Sequence, residues 1–216
     1  MAGYADALGA KARNGYSAFV RQDLIGADYG LLDCATALPL PDYFTALLFA
    51  RLMGPRALDV RATRTSGIGA RRSSETANAP FSVAAGVSVG GNTADGGMVR
   101  LYAHCARAPA ANGAVALLAV NLASQPANVT LLGNGGWALR TEYELSPSKK
   151  SGPLGLETGI LGSGVMFNGA GPLALTAAGK LPDLSGRKAA RSGPVVVGPE
   201  SIMFVVFTEA FAPACQ

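Results

Sequence analysis

Apolar and polar positions along the chain follow three successive patterns, and each change of pattern predicts a change of structure. Over residues 4–13, Ala5, Leu8 and Ala12 recur at helical spacing, and Asn14-Gly15 ends the run with two residue types that tolerate a left-handed C-cap. Residues 16–25 are then nearly continuous in apolar and aromatic side chains until Arg21, Gln22 and Asp23. A parallel strand buried on both faces reads this way, with polar groups where it emerges from the core. The loop over 26–42 is long for a connection between strand and helix, which favours a binding role. Pro39 and Pro41 fix an extended entry, Asp42 is placed to cap a helix over 43–53, and Gly54-Pro55 ends it. Tyr43, Leu47, Leu48, Arg51 and Leu52 give that helix its apolar stripe. The order helix, strand, loop, helix is that of the terminal βα unit of an incomplete (β/α)8 barrel, a fold that gathers binding residues at its strand ends and the loops after them.

From Arg56 onward the period changes to two. Short strands are predicted at 57–65, 99–106, 114–122, 128–132, 137–145, 165–168 and 201–208, with no convincing helix between them, so a C-terminal β-sandwich follows the barrel part. Residues 65–97, a mixture of Ser, Gly, Ala and Arg, read as a flexible insertion with one weak strand at 81–89. The division predicted is 1–56 for the barrel remnant and 57–216 for the sandwich, α/β plus all-β.

Composition agrees with many turns and short strands: 28 Gly, 13 Pro and only 15% charged residues in 216. The net charge of +4 is spread over single residues and pairs such as Arg71-Arg72, Lys149-Lys150 and Arg187-Lys188, which read first as solvated loop positions. That balance admits an acidic glycan or a peripheral contact with a membrane surface as partner, while no motif supports nucleic acid. No run of 18 apolar residues predicts a spanning helix, and MAGYADALGAKARNGY lacks the basic and apolar regions of a secretory signal.

Few residues carry chemistry on their own. The one histidine, His104, cannot form a multi-histidine metal site and reads as structural. No nucleophile elbow, phosphate-binding loop or dinucleotide fingerprint occurs, so no cofactor is predicted. Cys34, Cys105 and Cys215 admit two readings: a Cys105–Cys215 bridge with Cys34 free, or three reduced buried thiols. The bridge would close a loop of about 110 residues, worth up to ~4–5 kcal/mol in the chain-entropy model. Asn128-Val129-Thr130 is an acceptor triplet for N-glycosylation. The acids of the barrel-like part are Asp6, Asp23, Asp28, Asp33 and Asp42, and the first glutamate is Glu75, inside the insertion. From these no facing pair of carboxylates suited to glycoside cleavage can be assigned.

Several separated blocks in order, VRQDLIGADYGLLD, PLPDYFTALLFARLMG, VRLYAHC, LLAVNLASQPANVTL, YELSP, SIMFVVF and APAC, resemble the C-terminal part of heparanase and heparanase-like endo-β-glucuronidases, glycoside hydrolase family 79. The resemblance runs from about Gly3 to Cys215. It implies a (β/α)8 barrel with an attached sandwich, a disulfide between Cys105 and Cys215, a glycan at Asn128, and a secreted, lysosomal or vacuolar full-length parent. It also implies a retaining hydrolase of glucuronic-acid-containing glycans whose acid/base and nucleophile glutamates both lie upstream of this region, so the chain alone is expected to be inactive. Gln22, Gly26 and Tyr29 match the family's substrate-contacting strand end and loop. The alternative is a non-catalytic glycan-binding or interaction protein built on the sandwich. On that reading Phe19, Leu47 and Leu48 form an exposed apolar face that a partner covers.

Overall fold

The structure is a computed structural model of the chain; it describes residues 1–27, 29–64, 82–89, 98–132, 139–148, 164–189 and 193–216, with the backbone alone for 63–64, 82–89 and 132. Most of the predicted insertion, with Glu75 and the Arg71-Arg72 pair, lies outside the described residues, as do Asp28, Trp137 and Lys149-Lys150.

Two helices open the chain. Helix α1 (Ala2–Arg13) ends as its sequence predicts. Gly15 sits at φ +79°, and the Tyr16 and Gly15 amides donate to the carbonyls of Lys11 and Ala12, both at 3.1 Å. Two carbonyls of the last turn are thereby satisfied in a Schellman motif. Helix α2 (Pro41–Leu52) begins two residues earlier than predicted, with Leu40 at the N-cap and Pro41 in the first turn. Asp42 is therefore inside the helix and not its cap. Proline at the first helical position has no amide to satisfy and its φ is already helical, so it starts the helix without a side-chain cap.

The largest correction concerns residues 16–25, which form no strand. Tyr16, Val20, Leu24 and Ile25 are exposed, Val20 at 88%. A buried parallel strand needs a hydrogen-bonded neighbour at its edges, and no described strand pairs with this segment.

The rest is sheet: β1 (Met53–Arg64), β2 (Ser82–Val89), β3 (Val99–Ala106), β4 (Val115–Asn121), β5 (Ala127–Leu132), β6 (Arg140–Pro147), β7 (Val165–Phe167), β8 (Ala170–Pro172), β9 (Arg187–Ala189), β10 (Val195–Val197) and β11 (Ile202–Phe207). Strand β1 belongs to two sheets. Its first half pairs antiparallel with β3, and its second half pairs parallel with β2. From it one sheet runs β1-β3-β4-β11-β6-β7-β8 with β9 beside β6, and the other runs β1-β2-β5-β10. Apart from the β1–β2 pair the ladders are antiparallel.

Strands β4 and β11 are buried at every position because the first sheet is covered on both faces. Val115, Leu117, Met203, Val205 and Phe207 pack toward Val129, Val195 and Val197 of the second sheet. The alternate residues Leu118, Val120, Ile202 and Phe204 pack with Ala5, Phe44 and Leu48 of the helices. Each such side chain taken fully from water contributes roughly 1.5–3 kcal/mol. Leu48 is 1% exposed and Leu47 is packed against the same core, so the apolar face expected on α2 is filled by the sheet.

Two polar devices close the sandwich. Asn121, wholly buried at the end of β4, donates to the carbonyls of Gln125 and Gly198 at 2.8 Å and accepts from the Ala123 amide at 3.0 Å. Its amide is thus satisfied while it ties β4 to the exit of β10. Cys105 and Cys215 are bridged, with Cα atoms 5.2 Å apart, and the bridge fastens the C-terminal 3₁₀ turn (Pro213–Cys215) to β3. Cys34 is free and exposed. The reading with three reduced thiols is set aside.

Candidate functional site

Residues 16–30 leave α1 and return toward α2, and Arg21 holds them there. Its guanidinium pairs with Asp42 of α2 at 2.8 Å, donates from Nε to the Tyr29 carbonyl at 3.2 Å, and lies 4.4 Å from the centre of the Tyr4 ring on α1. One side chain therefore ties both helices to the loop through an ion pair, hydrogen bonds and a cation–π contact. Lys11 adds a second tether, its ammonium 5.0 Å from the Phe19 ring and 5.1 Å from the Tyr16 ring.

The loop is closed at its base by amides of Leu31 and Leu32, which donate to the carbonyls of Asp23 and Leu24 at 3.2 and 2.8 Å. Inside it Gly26 adopts φ +126°, a conformation that side chains rarely take. A Cβ on Gly30 would lie 3.1 Å from each of three oxygens, the carbonyls of Ala27 and Leu32 and Asp23 Oδ1. Glycine at both positions lets the backbone fold around the Asp23 carboxylate.

Gln22, Gly26 and Tyr29 are all exposed on this one loop, Tyr29 at 56%. Neither the Gln22 amide nor the Tyr29 hydroxyl has a hydrogen-bond partner among the described residues. The arrangement leaves an amide and a phenol free to meet a polar ligand on a backbone that Arg21 fixes. Arg21 itself escaped the sequence reading, where it was only a polar residue at a strand end. Its partners lie 8 and more residues away, and no local pattern announces them.

The next turn is built on Asp33, whose Oδ1 accepts from the Thr36 hydroxyl at 2.6 Å, the Thr36 amide at 2.8 Å and the Ala35 amide at 3.2 Å. The hydrogen bond from the Thr36 hydroxyl, seconded by the amides, holds the Asp33 carboxyl below the usual carboxylate range. Beside this turn lies a cleft of about 400 Å³, walled by Leu38, Leu40, Leu173 and Leu175.

The other candidates sit elsewhere. His104 is buried in β3, its Nδ1 2.6 Å from the Gly54 carbonyl and its ring edge-on to Phe49, and burial lowers its pKa. That is a structural histidine. Asn128 lies on β5 between buried Ala127 and Val129, so its side chain faces the outer surface of the second sheet. Among the described residues no cluster of three or more His, Cys, Asp or Glu could hold a metal, and no helix is long and apolar enough to cross a membrane.

No protein-family model matches the chain. Curated relatives do. Heparanase-like protein 2 of Arabidopsis thaliana is 30% identical over 99% of this chain and 38% of its own length. Baicalin-beta-D-glucuronidase of Scutellaria baicalensis is 29% identical over 94% of this chain and 30% of its own length. Inactive heparanase-2 of Mus musculus is 27% identical over 97% of this chain and 31% of its own length. The chain thus spans less than two fifths of the length of these relatives, and over nearly all of its own length it is similar to heparanase-like proteins.

Proposed function

We propose that the chain is the C-terminal part of a heparanase-like retaining β-glucuronidase acting on glucuronic-acid-containing glycans. The observation that carries the proposal is the exposed loop with Gln22, Gly26 and Tyr29, in a chain whose relatives include a β-glucuronidase. In this account Gln22 and Tyr29 hydrogen-bond the sugar and Gly26 lets the backbone approach it. The two cleaving glutamates have no counterpart in the chain, and the loop orients a substrate that carboxylates outside residues 1–216 cut.

We further propose that residues 16–25, which form no strand on their own, become the last strand of a (β/α)8 barrel when the rest of that barrel pairs with them, with the barrel part ending near residue 56. Their apolar sequence and their exposure support this, because such a segment is stabilised when a neighbouring strand covers it. The parent is proposed to be secreted, lysosomal or vacuolar, which the Cys105–Cys215 bridge supports, and to carry a glycan at Asn128. Its partner is an acidic polysaccharide or proteoglycan glycan.

The test is steady-state hydrolysis of an aryl β-glucuronide by the full-length protein. Gln22→Ala is expected to lower kcat/KM at least tenfold with the fold unchanged; an unchanged value removes the loop from the substrate site. A second reading, a non-catalytic glycan-binding protein, is favoured by the relative named inactive heparanase-2. A full-length protein that binds acidic oligosaccharide and turns over no glucuronide decides for it.

A further inference from the structure

The sandwich carries a charged cleft far along the chain from the loop. Strands β6 and β9 pair so that Glu142 stands opposite Arg187, with Arg140 two residues away on the same face. Glu142 and Arg140 are buried, their side chains 7% and 8% exposed, and each is satisfied. Glu142 accepts from Arg140 Nε and Arg187 Nη2, both at 2.9 Å. Arg140 directs its other donors to the carbonyls of Gly193 and Pro194 at 2.8 and 2.9 Å. These two charges neutralise each other and form a fixed brace.

Arg187 is then a second cation for a carboxylate already paired. Its side chain is 54% exposed, and it gives Glu142 one amino group of its fork. Lys188 follows it, exposed and with no ion-pair partner among the described residues. With Arg140, Glu142, Pro194 and Val196 they line an open cleft of about 330 Å³. Arg140 and Arg187 against Glu142 leave a net +1 on that face, and Lys188, opposite Thr141 in the same ladder, adds a further cation at the rim. A guanidinium held in place by a buried carboxylate loses little freedom on binding an oxyanion, and its remaining donors match sulfate or carboxylate geometry. Val196, 52% exposed, offers an apolar ledge beside them.

We propose that this cleft is an oxyanion subsite through which the sandwich holds an acidic polysaccharide chain. The choice of a glycan as the bearer of the oxyanion rests on the function proposed above; the site does not use the loop. Sulfate and carboxylate share the required chemistry, and the ligands tested separate them.

The full chain, freed of any glycan at Asn128 because Val196 faces that residue across the β5–β10 pair, is titrated calorimetrically with three oligosaccharides. One is a sulfated glucuronic-acid-containing hexasaccharide, one its desulfated counterpart that keeps the carboxylates, and one neutral. Binding to the sulfated or to both acidic chains, weakening with added salt, is expected, with at least a tenfold loss in Arg187→Gln and in Lys188→Glu. Lys188→Glu leaves the Glu142 brace intact, so its loss of binding is not a loss of fold. Binding to the sulfated chain alone assigns sulfate. Equal affinity for the neutral chain, or unchanged affinity in both variants, overturns the proposal. Aryl glucuronide turnover by full-length Lys188→Glu is expected to match the parent, which separates failure of this cleft from failure of the loop.

Discussion

The Tyr102 hydroxyl donates to Asp6 Oδ1 at 2.5 Å, joining β3 to α1 across the helical face of the first sheet. Burial of the phenol, reinforced by the hydrogen bond to Asp6 and its charge, pushes the Tyr102 pKa up to about 12. The folded protein therefore keeps a proton that the unfolded chain releases near pH 10, so this contribution is intact below pH 10 and is lost as pH rises toward 12. Tyr102→Phe is expected to cost roughly 1.5–3 kcal/mol in chemical denaturation and to remove the last-titrating phenol from an absorbance titration. Next to this bond Gly9 lies against the ring, where a methyl group would fall 2.3 Å from Cγ and Cδ2. Gly9→Ala should destabilise by about 1–3 kcal/mol through overpacking, although alanine is the better helix former.

The second prediction uses His104, the one histidine of the chain. Its pKa is lowered by burial, against the opposing hydrogen bond to Gly54, so the folded state resists a proton that the unfolded state takes up near pH 6.5. Stability is thus full above that value and falls as pH drops through the window below it. Denaturation midpoints measured from about pH 7 to about pH 5, above most carboxylate titration, should decline in the parent. They should flatten in His104→Asn, whose side-chain amide takes the place of Nδ1 toward the Gly54 carbonyl. An equally flat parent curve contradicts the assignment.

The third concerns the bridge across 110 residues. Cys105→Ser with Cys215→Ser is expected to cost about 2–5 kcal/mol in unfolding free energy, and reductant should lower the stability of the parent by a similar amount. Cys34→Ser should change neither, since Cys34 is exposed and unpaired.

These residues also mark what the sequence could disclose. The end of α1 was legible because Asn14-Gly15 determines a local geometry, and β3 was legible because its strand pattern is local. Strands β4 and β11 were placed well, but their complete burial depends on sheet and helices packing on opposite faces, which no window of residues contains. Strands β8, β9 and β10, three residues each, are too short to show a period. Residues 16–25 misled because an apolar run reports a tendency to be buried, while a strand also requires a neighbour. At the candidate site, Gln22, Gly26 and Tyr29 were singled out only through likeness to a family, and the structure adds that all three are exposed on one loop. Arg21, which holds their loop, draws its role from Tyr4 and Asp42, contacts that exist only in the folded chain.

On the function proposed above, this chain is expected to hold a glucuronoside and not to cut it. The most direct measurement is turnover of an aryl β-glucuronide by the purified 216-residue chain, in a preparation whose cooperative unfolding and elevated Tyr102 pKa show it to be folded. No hydrolysis above the uncatalysed rate is expected. Turnover that is abolished by replacing an aspartate or glutamate within residues 1–216 would contradict it.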